Sequence, residues 1–194
     1  MIENYLKYLA MLDEKLEKFF TSQKPFIFCK PGCSKCCENA QYPYSKIEFE
    51  LVKFGFNTLP YDKKEQITQN IKNILEQKQK NTEKKFTYIC PFLIDNMCSI
   101  YPYRGIICRT FGLMNIDKEF GSNIPFCAYD GLNYSNVFDP EKRIISKEMF
   151  KKLSIKEEPC AYNIQYEDLT DPDFGKCYGF EFGEIKPLIN WFEN

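Results

Sequence analysis

The sequence predicts a mostly α-helical single domain with irregular cysteine-rich loops and a short β-hairpin. Three observations lead there: stretches whose apolar residues recur at spacings of three and four, an extended stretch broken by an Asp-Asn turn, and four cysteines within nine residues of a turn-rich run. At 194 residues the chain can bury a core of its own without covalent staples. Its 18 Phe and 13 Tyr supply large packing surfaces.

In residues 3 to 20, Tyr5, Leu9, Leu12, Leu16 and Phe19 line one face of an amphipathic helix. Pro25 ends that segment. Pro31 and Gly32 then make the run from Cys29 to Cys37 a loop rather than a helix. Ser45 with Glu48 is a capping-box pair, opening a helix to about Phe54 that Gly55 terminates. A further helix is expected from Asp62 to about Lys80, with Ile67, Ile71, Ile74 and Leu75 on one face and a solvated, lysine-rich tail from Lys78 to Lys85. Residues 86 to 111 read as short extended pieces around Asp95-Asn96, then a turn or short helix after Pro102. Leu113 to Phe120 reads as a hairpin arm. Short helices are expected at 141 to 153 and 183 to 192, with the Pro, Asp and Gly of 157 to 180 forming an irregular segment between them. The expected organisation is a cysteine-cluster domain over 1–135 and an extension over 136–194 packed on it.

Charge narrows the partners. With 26 basic and 27 acidic residues there is no global field to favour nucleic acid or an anionic membrane. Glu3, Lys7, Asp13, Glu14, Lys15, Glu17 and Lys18 interrupt the N-terminal apolar positions, unlike a signal peptide, and no stretch has the apolar length of a membrane span. The expected location is the cytoplasm, with neither membrane nor nucleic acid as partner.

In a reducing compartment ten cysteines point to metal ligation or redox chemistry, not disulfides. The absence of histidine excludes Cys2His2 fingers, two-His-one-carboxylate iron sites and imidazole-activated nucleophiles. Thiolates suit zinc, copper(I) and iron–sulfur clusters. Cys33-x2-Cys36 brings two sulfurs to one metal through a turn, flanked by Cys29 and Cys37. Adjacent Cys36 and Cys37 are expected to point to different sides, so that one serves a second centre. Cys90, Cys98, Cys108 and Cys127 complete eight candidate ligands, enough for two four-sulfur sites, and the domain is predicted to be metal-stapled. Only one tight CxxC knuckle is present, so the spacing leans toward an iron–sulfur cluster, a four-iron cubane being the common form, over zinc. For Cys160 and Cys177, simple burial is the favoured reading.

Two of only three arginines, Arg104 and Arg109, bracket Cys108. They are candidates to hold an anionic cluster, with solvated surface charge as the equal alternative. Phe28, Tyr88, Phe92, Tyr101, Tyr103 and Phe111 read as core, or as a dry shell around the centre. No phosphate loop, dinucleotide fingerprint or nucleophile elbow is present. Cys29-x3-Cys33-x2-Cys36 matches a radical-enzyme spacing, yet the chain is too short and too poor in alternating strands and helices for that barrel.

Three segments, Cys33 to Cys37, Cys90-Pro-Phe-Leu, and Cys98-Ser-Ile-Tyr through Cys108-Arg109, resemble the YkgJ-like cysteine-cluster (CxxCxxCC) proteins, described as zinc- or iron-chelating. The resemblance spans about residues 26 to 130. It implies a cytoplasmic protein with a metal centre, and carries Cys33, Cys36, Cys37, Cys90, Cys98 and Cys108, with Cys127 next. Here the first gap is x3 instead of x2, and Gly105 stands where the family usually has proline. The leading expectation is an iron–sulfur protein with a redox or electron-transfer role, including an oxidoreductase; the alternative is a zinc-binding structural or metal-handling protein. A distant likeness to flagellin lysine methylases adds a methyltransferase-like activity, for which the sequence shows no S-adenosylmethionine site.

Overall fold

The face formed by Tyr5, Leu9, Leu12 and Leu16 is the buried side of α1 (Ile2–Ser22), which carries the main core. Phe19, expected on the same face, is only partly covered and stacks on Tyr162 with ring centres 3.9 Å apart. The computed structural model describes residues 1–30, 32–82, 85–119 and 121–193. Pro31, Phe120 and the Glu83-Lys84 part of the lysine-rich tail lie outside the described residues.

After a single 3-10 turn at Lys24–Phe26 come α2 (Lys35–Glu38), β1 (Pro43–Ser45) and α3 (Lys46–Thr58). The capping box is present: Glu48 accepts from the Ser45 backbone N–H at 2.8 Å, and the Ser45 side chain accepts from the third-position N–H. Gly55 does not end this helix. It lies inside α3 because a Cβ there would stand 2.5 Å from the Tyr103 ring. The stop comes at Leu59, which is extended ahead of Pro60. Pro60 opens α4 (Tyr61–Lys80), whose Ile67 and Ile74 are buried, close to the expected bounds. Lys78 is not merely solvated, pairing with Glu193 at 2.5 Å and Asn190 at 2.8 Å.

The Asp95-Asn96 turn joins β2 (Leu93–Ile94) to β3 (Met97–Cys98), both turn residues having positive φ (51° and 59°), as a tight two-residue hairpin requires. A 3-10 turn at Tyr101–Tyr103 and α5 (Ile106–Thr110) follow. The expected arm becomes a hairpin of β4 (Asn115–Asp117) with β5 (Gly121–Asn123).

Three C-terminal expectations are corrected. Ile144 and Ile145 belong to β7 (Ile144–Ile145), paired with β6 (Phe138–Asp139), and only α6 (Lys147–Lys152) is helical in that stretch. The segment read as irregular holds α7 (Tyr166–Leu169) and α8 (Pro172–Tyr178). Asp171 caps α8 by accepting from Asp173 N–H at 2.8 Å, Pro172 starts it, and Gly179 closes it at φ 74°. The Asp, Pro and Gly taken for loop punctuation are this helix's start and stop. The final stretch is β8 (Ile185–Pro187), antiparallel to β1, followed by a 3-10 turn at Leu188–Phe192.

The main core joins α1, α3 and α5 to Ile164, Tyr166, Leu169, Phe180 and Phe182. A second cluster, Tyr44, Phe49, Val52, Ile67, Phe92, Ile94, Ile100 and Leu188, packs against Cys90, Cys98 and Cys108. Glu48 sits where the two meet. It is 1 % exposed and also accepts from Ile106 N–H at 2.8 Å and from the Tyr166 hydroxyl, tying the starts of α3 and α5 to α7. Burial pushes its carboxyl pKa up, while the donors around it pull back. No helix among the described residues is long and apolar enough to cross a membrane.

Glu48→Ala strands two backbone donors and the Tyr166 and Ser45 hydroxyls inside the protein, and is expected to cost about 3 kcal/mol or more of folding stability. Urea unfolding followed by circular dichroism measures this. A loss under about 1 kcal/mol would mean that the carboxylate is not an anchor.

Candidate metal centre

The two cysteine regions, half a hundred residues apart in sequence, are joined by backbone. Ala40 N–H donates to Tyr88 C=O at 2.7 Å, Tyr88 N–H returns to Ala40 C=O at 3.2 Å, and Cys90 N–H donates to Cys37 C=O at 2.8 Å. Cys37 and Cys90 are therefore held side by side before any side-chain contact is counted.

The segment around Cys36 and Cys37 is not the loop that the Pro-Gly pair predicts, since both lie on the one-turn helix α2. Their sulfurs are 3.9 Å apart. The expectation that neighbours diverge holds for an extended chain, whereas a helical turn rotates successive side chains by only about 100°. Cys98 is delivered by the β2–β3 hairpin and Cys108 by α5, whose first free N–H is taken by Glu48. Cys127 is buried on a 3-10 turn at Phe126–Asp130. Cys29 is exposed, but its backbone is pinned: the Asn133 side-chain oxygen accepts from Phe28 N–H at 2.8 Å and Cys29 N–H at 2.9 Å. Asn133 is fully buried and donates to Gly112 C=O at 2.8 Å. Gly112 has φ 100°, and a Cβ on it would lie 2.7 Å from the Asn133 amide nitrogen.

All ten cysteines are free thiols. Eight of them, Cys29, Cys33, Cys36, Cys37, Cys90, Cys98, Cys108 and Cys127, feel one another electrostatically, with Cys36 linking the two ends of the series. The hydrogen-bonding contact with Cys37 and burial hold the Cys36 thiol far above its ordinary pKa. Cys36 pulls Cys37 down, but Cys90 and burial outweigh it and push Cys37 up. Cys29 is exposed at the surface yet enclosed by protein on its inner side, and that partial burial, reinforced by Cys33, raises its thiol to about 11. Burial also takes Cys108 to about 12 and Cys127 to about 11, and raises Cys98. A bound cation is what would let such a group shed its protons.

The donor chemistry fits a soft metal: the gathered side chains are sulfur, while the nearby carboxylates are committed elsewhere, Glu48 as above and Glu38 to Ser34 and Lys35. Among the described residues, however, no three Cys, Asp or Glu side chains close on a single metal-sized point. The sulfurs meet as neighbours along a series rather than as a finished cage. Cys160 and Cys177 are exposed, not buried as expected, and take no part in it; Cys160 lies on an open segment held by Gln23, and Cys177 on the outer face of α8.

The two arginines separate. Arg109 is buried and spent on structure, pairing with Asp13 at 2.5 Å and donating to the carbonyls of Arg104 and Pro102. Arg104 lies over the Tyr101 ring at 3.7 Å, its charge favours the thiolate forms of Cys36, Cys98 and Cys108, and its buried Nε has no hydrogen-bond partner among the described residues. Of the expected aromatic shell, Tyr88 and Phe92 are buried, whereas Phe28 and Tyr101 are 41 % and 59 % exposed.

Sequence reasoning missed Tyr42, Tyr44 and Asn133. The Tyr42 hydroxyl donates to Cys36 C=O, and the buried Tyr44 hydroxyl lies 3.3 Å from the Cys108 sulfur. A signal was present in Tyr42-Pro-Tyr44 immediately before the capping box, but nothing local connects it to a cysteine 64 residues on. Gly105, where the resemblance leads one to expect proline, has φ −69°, which proline could adopt; a Cβ there would nevertheless stand 2.6 Å from the Tyr44 ring.

Asn133→Ala removes the acceptor of two backbone N–H groups and is expected to speed labelling of Cys29 and Cys33 by a thiol reagent about tenfold, equivalent to about 1.4 kcal/mol of easier opening. Peptide mapping by mass spectrometry reads the rate at each cysteine. Unchanged rates would mean that Asn133 does not hold this arm.

Residues 28–128, more than half of the chain, match the family model CxxCxxCC, whose description is "Putative zinc- or iron-chelating domain". No curated protein and no solved structure matches the chain.

Proposed function

The chain belongs to the CxxCxxCC family, and from that premise we propose that Cys29, Cys33, Cys36, Cys37, Cys90, Cys98, Cys108 and Cys127 ligate a metal centre, an iron–sulfur cluster in a protein with a redox or electron-transfer role. One observation carries the reading: the Cys37–Cys90 backbone bond and the Ala40–Tyr88 bridge bring two remote cysteine regions into one sulfur-only neighbourhood. Sulfurs supplied by separate elements, a partly dry aromatic setting and a cation at Arg104 are what an anionic cluster requires. A bound cluster would supply one-electron transfer. The chain's own part is to hold the sulfurs, limit water and balance charge.

In this reading Arg104 is the balancing charge and Arg109 a strut. Residues 1–135 form the metal domain, and 136–194 an extension that clamps it, since β8 pairs with β1 and the Trp191 indole N–H donates to Tyr44 C=O at 3.0 Å. A reducing cytoplasm is where such thiols stay available. Zinc is the second reading, favoured by the Cys33-x2-Cys36 knuckle opening into α2.

Anaerobic purification should yield a brown protein with iron, acid-labile sulfide and charge-transfer absorption. Zinc alone on elemental analysis would replace the first reading by the second, and protein that takes up neither metal would overturn both.

Serine substitutions separate ligands from bystanders. Cys36→Ser and Cys90→Ser should lose most of the bound metal, while Cys160→Ser and Cys177→Ser should keep the wild-type content. The reverse pattern, read by elemental analysis, would mean that the centre lies elsewhere.

A further inference from the structure

Among the described cysteines, Cys108 alone has a side-chain hydroxyl within hydrogen-bond distance of its sulfur. Tyr44 is 4 % exposed, and its oxygen lies 3.3 Å from Cys108 Sγ. Gly105 N–H donates to the same oxygen at 3.3 Å, which occupies one oxygen lone pair and leaves the hydroxyl proton free for the sulfur. Once Cys108 is a thiolate it has no proton to give, and Tyr44 must be the donor. The ring cannot swing away easily, because Gly105 packs against it and Trp191 and β8 hold its backbone.

We propose that Tyr44 is a positioning residue for the metal centre, donating its hydroxyl to the Cys108 thiolate and, backed by Gly105 N–H, making that ligand the weakest electron donor of the set. The inference rests on the metal-centre reading above and adds to it an inequality among the ligands. A hydrogen bond to a coordinated sulfur draws electron density from the metal–sulfur bond, which raises the energy of sulfur-to-metal charge transfer and favours the reduced state of an iron centre. Tyr42 is the natural control, since its hydroxyl is also close to the centre but donates to the Cys36 carbonyl and not to a sulfur.

The test uses the full chain loaded with cobalt(II), whose thiolate charge-transfer band reports the sulfur ligands directly. Tyr44→Phe should move that band to lower energy, because the sulfur regains the electron density that the hydroxyl withdrew, while Tyr42→Phe should leave the band in place. Fluorotyrosine at position 44 keeps the ring and makes the hydroxyl a stronger donor, so it should move the band to higher energy even if Tyr44→Phe proves unstable. A band unmoved by Tyr44→Phe or by fluorotyrosine, or moved as far by Tyr42→Phe, overturns this inference while leaving the metal centre standing. A wild-type chain that shows no thiolate band with cobalt overturns both.

Discussion

A carboxylate buried without a cation must be surrounded by donors, and the surroundings of Glu48 set the frame on which everything else is built. Its two oxygens take N–H groups from the first turns of α3 and α5 and a hydroxyl from α7. Those three elements come from three distant parts of the sequence. Cys108 rides on α5, Tyr44 immediately precedes the α3 cap, and Tyr166 belongs to the C-terminal part of the core. The positions of Cys108 and of the tyrosine beside it thus depend on a carboxylate that acts through the backbone N–H groups of Ser45 and Ile106.

The sulfur neighbourhood follows a different logic. Burial raises the pKa of Cys108, and the contact with Cys37 together with burial raises that of Cys36. Without a cation they are thiols that keep their protons, and close approach of several negative sulfurs would be unfavourable. Pairs such as Cys36 with Cys37 are drawn together by the backbone, and closing them further would need the attraction of a bound cation. Arg104, half-buried and stacked on Tyr101, contributes a positive charge, while Cys29 is exposed.

Helices were legible where an apolar face repeats at spacings of three and four, as in α1 and α4, or where such a face follows a capping box, as in α3. The Asp95-Asn96 hairpin was legible because its turn requires positive φ at two successive positions, which those residue types tolerate. Gly55 misled because its role is set by Tyr103, which arrives from 48 residues further on. Cys160 and Cys177 misled because a small apolar side chain carries no local mark of whether a neighbour will cover it. Arg104 and Arg109 looked equivalent from their spacing around Cys108. Only the partners separated them: Asp13 on α1 pairs with Arg109, whereas the Nε of Arg104 has no hydrogen-bond partner among the described residues.

By itself the sequence determined that the soft donors available here are thiols and not imidazoles, and the identity of the two cysteine-bearing regions, because thiol density and the absence of histidine are local properties of the chain. It also determined the principal helices, whose apolar spacing is equally local. Tertiary structure alone decided which backbone strands bring Cys37 to Cys90, that Tyr44 rather than a nearer aromatic faces Cys108, and that Asn133 holds the arm carrying Cys29. Those choices depend on hydrogen bonds between groups 53 to 104 residues apart, whose pairing is settled by the shape of the packed core and leaves no periodic trace in the order of residues.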